Sequence, residues 1–316
     1  DKTERKSGIP VSAAYVKIAA MLVTIALGYF LHQIHVFERQ DSRVLLKILM
    51  NVTLPCLVVS NLNGMTITRD LVMASLLGIV INALYFGTAF LLSKRGDAED
   101  HLVKIFALST FNTGSYVIPF LTGIASSYSL AGVFAFTYPG TALFTYGISP
   151  AVAGLVYSGQ KGERSPARIL LDKLLHTVSC DVCVIMLLLS LFRISLPSGL
   201  VSVCASIGSA SSTLAMLSIG ILMDLKLPEG EFIHDIGLVL ARLCISLLCA
   251  LTVYFLLPLA YDIRAAIALT VFAPAASYNS VMALHCGYKG SRVAVISSLE
   301  MILSIASTTV VTSLLF

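Results

Sequence analysis

Apolar segments long enough to cross a lipid bilayer recur along the whole sequence, and no other feature constrains the fold as strongly. The chain has 316 residues, of which 57% are hydrophobic and 12% are charged. A soluble domain carries about 25% charged residues, so this chain lies well outside the soluble class. No stretch is left over for a separate soluble domain. The sequence therefore predicts an all-α polytopic protein of the cell membrane.

Short polar or charged stretches divide these segments into ten predicted transmembrane helices. The predicted spans are 12–36, 44–62, 71–93, 102–123, 129–157, 168–192, 199–224, 234–258, 263–286 and 292–315. Lysine and arginine are more frequent in the loops on one side, which are therefore expected to be cytoplasmic. With an even number of spans, both termini are then expected on the extracytoplasmic side.

The ten spans divide into two sets of five. Residues 1–157 are expected to form a first five-helix repeat, 158–166 a polar cytoplasmic linker, and 167–316 a second five-helix repeat. Because five is odd, the second repeat must insert upside down relative to the first. This is the inverted repeat of many secondary transporters, whose binding site lies near the bilayer midplane.

The fourth span of each repeat is interrupted by proline together with small and polar residues. Lipid cannot satisfy a loosened backbone, so such breaks persist only where they face protein or a wet cavity. An unwound turn also exposes the N-terminus of the next half-helix, which attracts carboxylates. The candidate substrate-binding residues are Asn112, Thr113, Gly114, Ser115, Tyr116 and Pro119 in the first break, and Pro274, Ser277, Tyr278, Asn279 and Ser280 in the second.

Two roles are open for these residues. In one, Asn112 and Asn279 hydrogen-bond a small anion while Tyr116 and Tyr278 flank its apolar part. In the other, the breaks are kinks that serve only helix packing. Two breaks at equivalent repeat positions, each with one asparagine, favour the binding role.

The charged residues that lie deepest inside the predicted spans are Asp181, Arg242 and Glu300, and charge at that depth is costly and often functional. Glu300 is the better candidate for coupling to H⁺ or Na⁺, because the tenth span should pack near the broken ninth. Asp181 is the second candidate, and a structural hydrogen-bonded acid is the alternative for both. Arg242 is expected to snorkel to the cytoplasmic surface.

Other classes of function lack their motifs. Cys180 and Cys183 share a helix face, but no second pair or histidine cluster accompanies them, so no metal or cofactor is expected. No basic run with interleaved aromatics indicates a nucleic-acid partner. A Walker-type loop and a Gly-x-Gly-Asp motif are both absent from the sequence, which argues against an ATP-driven pump and an intramembrane hydrolase. The chain is therefore not expected to be an enzyme.

Several motifs resemble the auxin efflux carrier family over essentially the whole chain. The most specific is Asn112-Thr-Gly-Ser-Tyr-Val-Ile-Pro119, and Leu49-Met-Asn-Val-Thr-Leu-Pro55 is similar to the second-span signature. Gly28–Leu31 and Ala273–Tyr288 add weaker matches. The short loop after the fifth span is similar to that of bacterial members related to the plant auxin exporters. Plant exporters place a proline at the centre of the second crossover, where this chain has Asn279.

The resemblance implies that broken helices 4 and 9 cross at their centres. It also implies a scaffold of helices 1, 2, 6 and 7, through which a homodimer forms, and a transport domain of helices 3–5 and 8–10. The expected function is secondary transport of a small organic anion, a carboxylate, by an elevator-like alternating-access mechanism. The alternatives are a Na⁺- or H⁺-coupled symporter with Glu300 or Asp181 as ion site, and a membrane ligand sensor that does not transport.

Overall fold

The computed structural model describes residues 11–38, 40–94, 96–122, 124–158, 178–222, 232–276, 279, 282–283, 286, 288 and 292–315. Every regular element within these residues is a helix. In chain order the helices are α1 (Val11–Gln33), α2 (Asp41–Leu62), α3 (Arg69–Ser93), α4 (Ala98–Leu108), α5 (113–122), α6 (127–158), α7 (Val178–Leu191), α8 (Ser198–Leu222), α9 (Phe232–Leu256), α10 (Tyr261–Thr270) and α11 (Arg292–Leu315).

The helices are those of a multi-pass membrane protein. Five of them, α2, α3, α8, α9 and α11, contain stretches of at least 22 residues that are long and apolar enough to cross a membrane. Each of the ten predicted spans contains at least one helix. The number of spans and the inverted repeat stay predictions. The predicted linker 158–166 lies outside the described residues, apart from Ser158.

Within the described residues, three π-helical turns are built into the helices, and each one ends two residues before a proline. Proline lacks an N–H, and its ring crowds the carbonyl four residues earlier. A wider turn at that place accommodates the ring while the helix continues. The three turns are Leu49–Thr53 before Pro55, Thr113–Val117 before Pro119, and Phe144–Ile148 before Pro150.

Helices α1, α2, α7 and α8 pack together as a first group. Helix α1 lies against α8, and their backbones meet at two glycines. A Cβ on Gly28 would lie 2.4 Å from the Leu217 carbonyl oxygen, and one on Gly220 would lie 2.1 Å from the Ile25 carbonyl oxygen. Only glycine permits this approach, which is the way small residues draw membrane helices together.

Helices α3, α4, α6, α9, α10 and α11 form a second group of mutual contacts. Half-helix α4 contacts α3, α6, α9 and α11, while α10 contacts α6, α9 and α11. The segments Leu102–Leu108 and Ile263–Thr270 are buried except for Lys104 and Arg264, which are partly exposed. In contrast, α1, α7 and α9 keep large apolar side chains on their outer faces, such as Val23, Leu191 and Leu256. The two half-helices therefore lie at the centre, and the exposed apolar faces suit contact with lipid.

Helix α5 lies between the two groups. It follows α4 in the chain, yet it packs against α8 and, at its start, against α2. Helix α6 makes a further contact with α2. The residues that follow the first break therefore lie where the two groups meet.

Candidate functional site

The two interrupted segments are joined at their breaks. Helix α4 ends at Leu108 and α5 begins at Thr113, with four non-helical residues between them. Helix α10 ends at Thr270, and the chain continues without helical structure to Ala276. The Asn112 backbone N–H donates to the Pro274 carbonyl oxygen at 2.9 Å. Each break thus satisfies part of the other's backbone, as expected where no lipid or water can do so.

Arg242 of α9 holds both breaks. Its Nη1 donates to the Leu108 carbonyl oxygen at 2.6 Å, and its Nη2 donates to the carbonyl oxygens of Thr110 at 2.6 Å and Ala273 at 3.1 Å. These carbonyls lie at the C-terminal ends of α4 and α10, where helix dipoles concentrate negative charge. One guanidinium therefore compensates both ends. The expectation that Arg242 snorkels to the surface is wrong, because only 3% of the residue is exposed.

Aromatic rings complete the surroundings of this buried guanidinium. Arg242 lies 5.0 Å from the ring centroid of Tyr85 and 5.7 Å from that of Phe111, within the range of cation–π attraction. The Tyr85 hydroxyl is fixed in turn, since it bonds Ser246 Oγ at 2.7 Å and donates to the Val271 carbonyl oxygen at 3.1 Å. The cation is thus hydrogen-bonded along its edge and covered on its faces, as a buried charge requires.

Glu300 of α11 binds a backbone N–H of the second break, whereas Arg242 binds a carbonyl oxygen there. Its Oε2 accepts a hydrogen bond from the Ala275 N–H at 2.8 Å and lies 3.7 Å from Arg242 Nε. The Glu300 side chain is 2% exposed. Its Oε1 has no hydrogen-bond partner among the residues that the structure describes. Glu300 is therefore a buried carboxylate with one oxygen held and the other unbonded.

Asn279 binds the first break rather than an open space. Its Nδ2 donates to the Phe106 carbonyl oxygen at 2.7 Å and, more weakly, to the Ser109 carbonyl oxygen at 3.2 Å and Thr110 Oγ1 at 3.4 Å. The side chain is fully buried, and within the described part of the chain its Oδ1 has no partner. The Asn279 amide nitrogen thus caps the C-terminal end of α4, and only the oxygen is left for another group.

Asn112 lies at the start of α5, on the side of the first helix group. Ser115 Oγ donates to Asn112 Oδ1 at 2.5 Å. Gly114, the residue before Ser115, faces α2 so closely that a Cβ would lie 2.9 Å from Met50 Cε and 3.2 Å from Leu54 Cδ2. Asn112 and Ser115 are each 4% exposed. Asn112 and Ser115 therefore form a small polar cluster that is buried, and α2 packs closely against the Gly114 between them.

Tyr116 and Pro119 lie further into α5 and are also buried. The Tyr116 hydroxyl bonds Thr308 Oγ1 of α11 at 2.7 Å, and its ring stacks on Phe120 with centroids 6.0 Å apart. Pro119 shapes the π-helical turn above it. Thr113 is 7% exposed, and its Oγ1 is only 3.4 Å from the Phe111 carbonyl oxygen. These residues link α5 to its neighbours.

The remaining predicted residues lie elsewhere. Ser277, Tyr278 and Ser280 fall outside the described residues. Asp181 is half-buried in the first turn of α7, in the first helix group, whereas Glu300 belongs to the second. The structure therefore brings Glu300, and not Asp181, to the two breaks.

Arg242 and Thr110 belong to the site but were not predicted as site residues. Arg242 carried a usable signal, since a single arginine within an apolar span needs a partner. Thr110 carried no such signal, although it adopts φ +63° and presents its carbonyl to Arg242. A left-handed threonine is a strained choice that sequence composition does not predict.

The chain was compared with known proteins. Residues 13–160 match the model of a family described as a membrane transport protein. No curated protein matches the chain. The match covers the first predicted repeat, including the first break, and it indicates a transporter in the membrane rather than an enzyme.

Proposed function

We propose that this chain, whose family match supports its membership of the auxin efflux carrier family, is a secondary transporter for a small organic anion with a carboxylate group. The family match indicates a membrane transporter, and the proposal that its substrate is an organic anion is ours. The argument for it rests on how charge is compensated at the two breaks.

The single observation that carries the proposal is a contrast between backbone N–H groups at the two breaks. In the described part of the second break, the Ala275 N–H already donates to the Glu300 carboxylate. Where the first break ends, no side-chain hydrogen bond caps the start of α5 at Thr113, and its first turn contains no acidic residue. A helix N-terminus favours negative charge, so the start of α5 is the better seat for a substrate carboxylate. Asn112 and Ser115 lie beside it and supply polar side chains.

The place of α5 between the helix groups supports an elevator-like movement. The second group is tied together at one end, where Arg292 of α11 lies 2.9 Å from Asp235 of α9 and 3.7 Å from Asp100 of α4. Arg242 and Asn279 tie it together at the breaks. The first group contacts α5 through apolar side chains such as Met50 and Leu54. A unit with strong internal bonds and an apolar outer contact can slide as one body, which would expose the start of α5 on alternate sides.

Transport by purified protein in proteoliposomes tests the proposal. We expect uptake of at least one radiolabelled compound from a panel of aliphatic mono- and dicarboxylates and aromatic carboxylates. Asn112→Ala should lower that uptake about tenfold or more, because a hydrogen bond to a charged group contributes roughly 1.5–3 kcal/mol. The matched control is Asn61→Ala, since Asn61 Nδ2 donates only to the Leu57 carbonyl oxygen of its own helix.

Three results would count against the proposal. Uptake by Asn112→Ala at the wild-type rate would remove Asn112 from the site. Uptake of none of the carboxylates by a folded wild-type protein would refute the substrate class. Saturable carboxylate binding without flux would instead support a membrane ligand sensor.

A further inference from the structure

Glu300, whose Oε1 has no hydrogen-bond partner among the described residues, lines a recess between α9 and α11. The recess has room for about one water molecule, and its polar lining comes from Arg242, Ser246, Ser304 and Ser307. Ser307 at the rim is half-buried, whereas Ser246 and Ser304 are buried. A buried carboxylate oxygen without a partner is costly, and here the carboxylate lines a space that has room for a water.

The surroundings of Glu300 favour a proton over a metal cation. Its charged neighbour is Arg242, whose Nε lies 3.7 Å from Oε2, and a second cation at this place would meet that positive charge. Two of the three recess hydroxyls already make hydrogen bonds, since Ser246 bonds Tyr85 and Ser307 donates to the Leu303 carbonyl oxygen. A sodium ion needs several free oxygens, whereas a proton needs one, and Glu300 Oε1 is that one.

The groups that face Glu300 from each packed element are few. From α9 these are Arg242 and the Ser246 hydroxyl, from α3 the Tyr85 hydroxyl behind Ser246, and from the second break the Ala275 N–H. Helix α4 contributes the carbonyl oxygens that Arg242 holds. The other ionisable residues in the sequence of α4, α9 and α10, cysteines and tyrosines aside, are Glu99, Asp100, His101, Lys104, His234, Asp235, Asp262 and Arg264.

We propose that Glu300 is a reversible proton-binding site that is loaded through the recess. A proton passes from water in the recess to Oε1, and the carboxylate becomes a neutral acid while Oε2 still accepts the Ala275 N–H. The reverse step returns the proton to water, so no other reactant is needed. Protonation removes the negative charge beside Arg242 and leaves the two breaks with a net positive charge.

This charge change would couple the proton to the substrate, a consequence that rests on the proposed function. With Glu300 ionised, Arg242 and Glu300 balance each other close to the start of α5. With Glu300 protonated, an incoming carboxylate would restore the balance. Anion and proton would then bind together, which makes the protein a proton-coupled carrier.

Infrared difference spectroscopy of the protein in liposomes tests the proton site without any substrate. Between alkaline and acidic buffer, wild-type protein should gain the carbonyl band of a buried protonated carboxylic acid. Glu300→Gln should lose this band, because the amide keeps an acceptor for Ala275 and has no acid to titrate. Asp181→Asn, the matched control, should keep it. A band that survives Glu300→Gln, or no band in wild type, would overturn the proposal.

Isotope labelling makes the test independent of the variant's folding. Among the described glutamates only Glu300 is buried, since Glu38 and Glu99 are exposed. Carboxyl-¹³C glutamate in wild-type protein should therefore shift the band, and labelled aspartate should not; the opposite pattern would refute the assignment. Loss of the band when sodium replaces choline at constant pH would identify a Na⁺ site instead.

The two proposals fail separately. Carboxylate uptake that is independent of the pH gradient, from a protein without the infrared band, would remove the proton site and leave the anion carrier. The band without any carboxylate uptake would keep the proton site and refute the carrier. A band together with uptake that an inward proton gradient stimulates would support both.

Discussion

The two breaks of this protein look alike in sequence but are stabilised in different ways. The first break turns through a left-handed Thr110, and its preceding helix end is capped by Arg242 and Asn279. The second break contains no left-handed residue in its described part, and its following N–H at Ala275 is held by Glu300. At the start of α5, which follows the first break, the N-cap residue makes no side-chain capping hydrogen bond.

This difference indicates that the two breaks have different roles. A symmetric pair would offer two half-helix starts to the substrate, as the sequence led us to expect. The structure instead uses Glu300 to accept a backbone N–H of the second break, and Asn279 to cap the helix end before the first break. We infer that the anion is bound mainly by the first break, and that the second supplies support and a responsive charge.

The largest effect should follow from removing the cation that serves both breaks. Arg242→Met would leave the carbonyl oxygens of Leu108, Thr110 and Ala273 and the Glu300 carboxylate without their partner. Breaking a buried charge pair from one side costs about 3–5 kcal/mol. We expect a large drop in melting temperature, or no folded protein, as measured by thermal unfolding in detergent.

The exposed Arg43 provides the control, since Arg43→Met should leave the melting temperature nearly unchanged. Adding Glu300→Gln to Arg242→Met should recover part of the loss, because the uncompensated carboxylate is removed. If Arg242→Met melted like Arg43→Met, the compensation of the two helix ends would not be the role of this residue.

A smaller effect should separate the two asparagines. Asn279→Ala removes the amide that caps Phe106, Ser109 and Thr110, so we expect a loss of roughly 1–3 kcal/mol in stability. The folded fraction should bind carboxylate with an unchanged KM in proteoliposome uptake. Asn112→Ala should show the reverse, a near-normal melting temperature with impaired uptake. If Asn279→Ala raised the KM without any loss of stability, both breaks would have to contribute to a symmetric binding site.

The sequence was informative about the helices and their interruptions because both follow from simple chemistry. Apolar length indicates helices in a membrane, and prolines such as Pro119 indicate where a helix must widen or break. The structure has helices in every predicted span and a π-helical turn directly before Pro119. The motif around Asn112 lies within residues 13–160, which match the model of a family described as a membrane transport protein.

The role of each polar residue could not be predicted in the same way. Asn112 and Asn279 occupy similar breaks, and only tertiary contacts reveal that Asn279 Nδ2 caps a distant helix end. Arg242 could be assigned either to the membrane surface or to the interior, since a long side chain can reach both. Its partners are carbonyl oxygens, which every residue carries, so no sequence pattern marks them.

The smallest expected effect concerns the backbone of the first break. Thr110 has φ +63°, and a left-handed residue with a Cβ costs about 1–2 kcal/mol relative to glycine. Thr110→Gly and Thr110→Ala both remove the hydroxyl near Asn279, but only glycine also removes the strain. We therefore expect Thr110→Gly to melt a few degrees above Thr110→Ala. The same pair of substitutions at Thr270, a buried residue at the end of α10, should give the opposite order, because glycine destabilises a helix. Equal melting temperatures for the Thr110 pair would show that the first break is not held in a strained conformation, and the contrast between the two breaks would then lie in their charges alone.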